Sequence, residues 1–311
     1  MEAVAIDKQV LEFEEMSSAE HAIYDRLQSE IGPTLNQTLS QTALIQCVRG
    51  WQTESPRYEV TKENVVRIMA FKNKARSTAL LSEPSDNVDY FLEHWGSEVY
   101  GSDDQGHMLW VERISTIKAV DLLERYDDEA MKDARSVLME ALEVHKGNAL
   151  CPGQNKVHKH IYVMDLAGVG MSSFSAGVRR VVKNVIVEMG NIYPESVHRM
   201  MFVNAPFAFR AIWSLITPML HPVTKEKTKI LGFGETLIRE FEKCGITRAN
   251  IPNIFPGGEA TPTPLSELIG KWRAEGTPRW EEGKEYYTNG KEPITTEGAL
   301  KAAEGKEAAA A

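Results

Sequence analysis

At 311 residues, with 42% hydrophobic and 25% charged residues, the chain carries enough apolar material for one large α/β domain with a smaller helical partner, and too much to be disordered throughout. A net charge of -9 argues against nucleic acid as a partner, and three cysteines, at positions 47, 151 and 244, argue against a disulfide framework or a Cys-rich zinc site. The acidic first residues do not form a signal peptide and no run of about 18 apolar residues occurs, so the expectation is a cytoplasmic protein in a reducing compartment, neither secreted nor membrane-spanning.

Residues 1–95 are rich in helix formers, with Leu44, Cys47, Val48 and Trp51 at helical spacing, and Pro33, Pro56 and Pro84 divide them into several short helices. They form an expected N-terminal helical lobe ending near Trp95. Tyr100-Gly101 and Asp104-Gln105-Gly106 read as turns, and His107 to Glu112 as a short strand that opens a second domain, 96–282. A helix follows over 126–147, carried by Tyr126, Ala130, Ala134, Val137, Leu138, Ala141 and Leu142. Ile161 to Leu166 is a strand-sized run without polar alternation, as in a strand covered on both faces, and Gly168 and Gly170 end it. Phe174, Val178, Val181, Val182, Val185, Ile186 and Met189 then share one helical face, opposite Arg179, Arg180, Lys183 and Glu188. Met200 to Asn204 and Lys229 to Leu231 complete a strand, helix, strand, helix, strand series, which implies parallel pairing. Beyond Gly283 the Gly-, Glu- and Ala-rich composition predicts a mobile tail, 283–311.

The segment 207–220 has only Arg210, Ser214 and Thr217 as polar residues. Phe207, Phe209, Ile212, Trp213, Ile216 and Leu220 therefore cover almost every direction of a helix. Such a helix is either buried on all sides or serves as a lid whose inner face covers an apolar ligand and whose outer face meets a bilayer. Gly168-x-Gly170 has half of a dinucleotide loop, with Ser173 where its third glycine belongs. No Gly-x-Ser-x-Gly elbow, His-Glu-x-x-His pair or Walker loop occurs, so no catalysis is expected.

DLAGVGMSS at 165–173, YPE at 193–195, MMFVNAPFAF at 200–209, ITPMLHPVTKEKTKILG at 216–232 and IPNIFPGG at 251–258 follow one another in an order and spacing that resemble CRAL-TRIO lipid-transfer proteins of the phosphatidylinositol type. The resemblance covers roughly residues 98–258. It implies an α/β fold with a mainly parallel sheet as floor, a helical wall and a gating helix matching 207–220. It also implies one bound phospholipid, phosphatidylinositol, in an apolar cavity, with no other cofactor, in a monomer that meets membrane surfaces transiently.

Carried over position by position, the resemblance gives Glu195, Thr224 and Lys227 to the inositol phosphate head. Their chemistry fits: a carboxylate accepts from inositol hydroxyls, a hydroxyl and an ammonium donate to phosphate. Read without the family, Pro194-Glu195 is also a favoured helix first turn, and Lys225, Glu226, Lys227 and Lys229 a solvated charged face. Arg49 is a further candidate cation, and Trp110, His160 and Tyr162 are candidates for the cavity lining. The chain departs from the family at His221, where Asp is usual, at Gly106-His107-Met108, where Gly-Arg-Pro is usual, and at His160 and Tyr162, which replace the small hydroxyl residues of phosphatidylcholine-exchanging members. The alternatives are therefore a carrier of another hydrophobic ligand, a sterol, prenyl lipid or haem, and a membrane-targeting adaptor without transfer activity.

Overall fold

The computed structural model describes residues 16–39, 41–149, 159–170, 175–207, 209, 213–214, 217–219 and 222–275. The expected tail at 283–311 and the gating-helix residues Ile212, Ile216 and Leu220 lie outside them.

Four helices come first: α1 (Ser18–Thr38), α2 (Gln41–Gly50), α3 (Arg57–Ala75) and α4 (Asp86–His94). A capping box starts α1. The Ser17 hydroxyl accepts from the Glu20 backbone N–H at 3.3 Å, and the Ser17 N–H donates to Glu20 Oε2 at 2.7 Å. Ser17→Ala is expected to cost about 1 kcal/mol, seen as a lower urea midpoint with an unchanged slope.

The sheet then runs through β1 (Glu98–Ser102), β2 (Met108–Arg113), β3 (His160–Asp165), β4 (Val197–Val203), β5 (Thr228–Ile230) and β6 (Thr263–Pro264), in spatial order β5-β4-β3-β2-β1-β6. Pairing is parallel from β2 to β5, as the alternating elements require, and antiparallel for β1 with β2 and with β6. Tyr100-Gly101 is a correction to the sequence reading: these residues lie inside β1 and not in a turn. Gly101 is needed there because the Asn250 side chain occupies the space of a Cβ, 2.2 Å away.

Helices α5 (Ala119–Arg125) and α6 (Asp128–Ala149) link β2 to β3. Between β3 and β4 one helical rod runs from α7 (Ala176–Val181) through a π-helical stretch, Val182–Val187, into α8 (Glu188–Ile192). Short α9 (Pro222–Glu226) precedes β5, α10 (Glu235–Glu242) follows it, and α11 (Leu265–Glu275) ends the described chain.

Alternation along the strands divides the sheet between two cores. Leu109, Val111, Ile161, Val163 and Met201 point to the side covered by Leu237, Ile238 and Phe241 of α10. Trp110 and Tyr162 point to the other side and join one apolar cluster with Leu27, Leu44 and Phe91 of the N-terminal helices and Trp272 of α11. The N-terminal helices and the sheet therefore share a core, and no helix among the described residues is long and apolar enough to cross a membrane.

Candidate functional site: an apolar cavity with a charged end

On the Tyr162 side of the sheet lies a cavity of about 850 Å³, toward the upper end of the range usual for ligand pockets. Tyr162, Met164, Met200 and Phe202 form its floor, Val178, Val182 and Ile186 of the helical rod one wall, and Leu122 and Leu123 of α5 another. Phe209 lines it as well, buried against Phe202 with ring centroids 5.0 Å apart, and Trp213 meets the same Phe202 ring at 5.0 Å. Phe207, in contrast, is 87% exposed. The three described aromatics of the expected gating helix thus divide into two that pack over the floor and one that faces outward.

Glu195, Thr224 and Lys227 all line this space, just ahead of β4 and within or after α9, as do Gly50 and Trp51 of the N-terminal lobe. Glu195 Oε2 pairs with Lys227 Nζ at 3.6 Å and with Lys159 Nζ at 2.7 Å. Two ammonium groups and one carboxylate leave the cluster one positive charge in surplus. Burial favours the neutral form of Glu195, but the charges of Lys159 and Lys227 outweigh it and hold the carboxyl below its ordinary value. Lys227 is pushed below the usual lysine range, first by burial and further by its neighbour Lys159, with Glu195 opposing. An anion arriving there would further favour the charged form of Lys227.

The backbone at Glu195 is unusual. Its φ of 52° lies in the left-handed region, which a non-glycine residue occupies only when its surroundings impose it. Three parts of the chain do so. Gln46 Nε2 donates to the Glu195 carbonyl at 3.5 Å, Lys159 holds the carboxylate, and α2 ends against Pro194. A Cβ at Gly50 would come 2.8 Å from Pro194 Cβ, so glycine permits this approach.

At the other end of the floor, Glu112 faces the cavity while fully buried. Arg135 grips it with both terminal guanidinium nitrogens, the longer bond 3.1 Å, and Trp95 Nε1, Ser97 Oγ and the Tyr162 hydroxyl also donate to it. Arg135 lies between the Trp95 and Trp110 rings, 4.9 Å from each centroid. Burial raises the Tyr162 phenol well above its ordinary value and the Glu112 charge adds to this, so Tyr162 stays a neutral donor.

Of the residues singled out in the sequence, Glu195, Thr224, Lys227, Tyr162 and Phe209 come together around the cavity, with Trp213 packed at its edge. Trp110 and His160 do not line it. Trp110 stacks beneath Tyr162 at 4.3 Å, and His160 is buried against the Trp110 edge with Lys146 Nζ 3.4 Å from its Nδ1. Arg49 pairs with Glu20 at 3.2 Å and is not among the lining residues, although the adjacent Gly50 is. Sequence reasoning missed Lys159, Glu112 and Arg135. An acidic residue closing the apolar run HMLWVE was the available signal for Glu112.

The CRAL/TRIO domain model matches residues 93–248. Among curated proteins, the chain is 25% identical over 152 residues to the phosphatidylinositol/phosphatidylcholine transfer protein SFH7 of Arabidopsis thaliana, covering 47% of this chain and 27% of that protein. It is 34% identical over 119 residues to the SEC14 cytosolic factor of Kluyveromyces lactis, covering 36% and 38%. The chain thus spans well under half the length of these relatives. Among solved structures, the crystal structure of Sfh5 superposes with a TM-score of 0.55 at 17% identity, over 83% of this chain and 98% of that one, a likeness of fold. With half of its length in the domain model, on a mostly parallel sheet walled by helices, the chain belongs to the CRAL/TRIO domain family.

Proposed function

We propose that the protein is a carrier, not an enzyme, that holds one phosphatidylinositol with its acyl chains in the apolar cavity and its head at the Glu195, Thr224 and Lys227 end. The observation that carries this reading is the placement of a buried cluster with one surplus positive charge at one end of a mainly apolar cavity. A phosphodiester supplies one negative charge, and inositol hydroxyls supply donors for Glu195. Burying two acyl chains drives uptake at about 0.8 kcal/mol per CH₂ group. The relatives named for phosphatidylinositol/phosphatidylcholine transfer support a phospholipid cargo. The phosphatidylcholine half of that activity is not part of the proposal, because Tyr162 fills its strand position with a ring and is engaged to Glu112. A cytoplasmic monomer that touches membranes only during exchange completes the reading, with Phe209 and Trp213, which pack over the floor, swinging aside.

The test is transfer of labelled phosphatidylinositol between vesicles. Lys227→Met removes one charge-assisted contact to phosphate, about 1.5–3 kcal/mol, so transfer is expected to fall by roughly 10- to 100-fold while the fold persists, since Glu195 keeps Lys159. Wild-type protein that extracts a sterol, prenyl lipid or haem in preference to phosphatidylinositol would move the function to that ligand. Failure to extract any lipid would leave an adaptor.

A further inference from the structure

A second cluster lies away from the cavity, where the turn between β1 and β2 meets the start of β4. Asp103, His107 and His198 are all buried, and one potential ligand atom from each falls within 4.8 Å of the others. The turn is built around Asp103. Its Oδ1 accepts from the backbone N–H of Gln105 at 3.0 Å and of His107 at 2.7 Å, and its Oδ2 lies 2.7 Å from His107 Nδ1. His107 Nε2, across the ring from that carboxylate, is fully buried and has no hydrogen-bond partner among the described residues. The His198 ring lies parallel to it, 3.7 Å away.

We infer that Asp103, His107 and His198 form a zinc site, distinct from the lipid cavity. A buried imidazole nitrogen without a partner is costly, and a second imidazole beside it supplies another borderline donor of the kind zinc takes, with water to complete the shell. The bond from Asp103 to His107 Nδ1 is the arrangement by which a carboxylate orients a zinc-bound histidine. Coordination requires the two rings to fan apart from their stack, with His107 Nε2 and a His198 nitrogen as the imidazole donors. The ion would pin the β1–β2 turn to β4.

The full chain, stripped with EDTA and desalted, is titrated with zinc chloride by calorimetry, and its metal content is measured by mass spectrometry. One zinc per chain is expected, with a raised thermal midpoint. His107→Gln and His198→Asn should abolish both effects, and Asp103→Asn should weaken binding by about 10- to 100-fold. Cobalt(II) on the wild-type chain gives a reading that does not depend on any variant folding: intense visible d–d bands are expected from a low-coordinate site with nitrogen donors. Folded wild-type protein that takes up no zinc, weak cobalt bands of six-coordinate type, or uptake undiminished in the folded variants would each overturn the site.

Discussion

Arg135→Met is expected to lower stability by about 3–5 kcal/mol, the usual cost of leaving a buried partner charge uncompensated. Arg135 is 2% exposed and Glu112 fully buried, so water reaches neither. Without the guanidinium, Glu112 keeps the Trp95, Ser97 and Tyr162 donors but faces no positive charge in the cavity floor. Replacing Glu112 with Leu and Tyr162 with Phe in the same chain removes the stranded charge and its donor together, and is expected to recover much of the loss. Chemical denaturation of the single and triple variants measures both. A triple variant as unstable as Arg135→Met would show that Arg135 contributes through its contacts with the Trp95 and Trp110 rings and not through its pairing with Glu112.

Glu195→Gln should act oppositely on stability and on anion binding. The lipid-free variant leaves Lys159 and Lys227, 5% and 7% exposed, without the carboxylate between them. The expected destabilisation is on the order of 3 kcal/mol, the low end for a broken buried pair, because the Glu195 side chain itself is 18% exposed. Anionic vesicles should restore more of it than neutral ones, since the site then carries two unmatched positive charges. Acid should produce the same effect in the wild type. Glu195 titrates below its ordinary value of 4.5 in the folded protein, so its contribution is complete above that value and is lost as pH falls through the lower, folded one. A wild-type stability curve that the Gln variant follows in parallel through this acid range would overturn the assignment.

Much of the architecture was legible because burial on both faces leaves a plain signature. Residues 161–166 and 200–204 are apolar apart from Asp165 and Asn204, without alternation, and the structure gives His160–Asp165 and Val197–Val203 as neighbouring parallel strands. The helix expected over 126–147 is Asp128–Ala149, with Tyr126 just ahead of it. Edges were harder. Tyr100-Gly101 has the composition of a turn, and only the Asn250 side chain, some 150 positions along the chain, explains glycine within a strand.

The charged end shows the same limit. Glu195, Thr224 and Lys227 could be named from motifs that resemble a family. Lys159 could not, since it precedes β3 without a motif and reaches Glu195 because the His160 N–H bonds to the Ser196 carbonyl. Trp110 and Tyr162 lie directly across from each other on adjacent strands, yet stacking sinks Trp110 beneath its neighbour and leaves Tyr162 to meet the cavity.

The π-helical stretch at Val182–Val187 changes what this fold can vary. A π turn holds one residue more than an α turn, and that residue rotates everything after it by about 100° about the axis. Neighbouring pairs, Val181 with Val182, Ile186 with Val187 and Gly190 with Asn191, consequently all reach the cavity from a single rod. Gain or loss of that one residue re-aims the wall while both strands that flank it stay in register. The shape of the cavity in this architecture can therefore change by a step in helical phase, a larger move than any single side-chain exchange and one that leaves the charged end untouched.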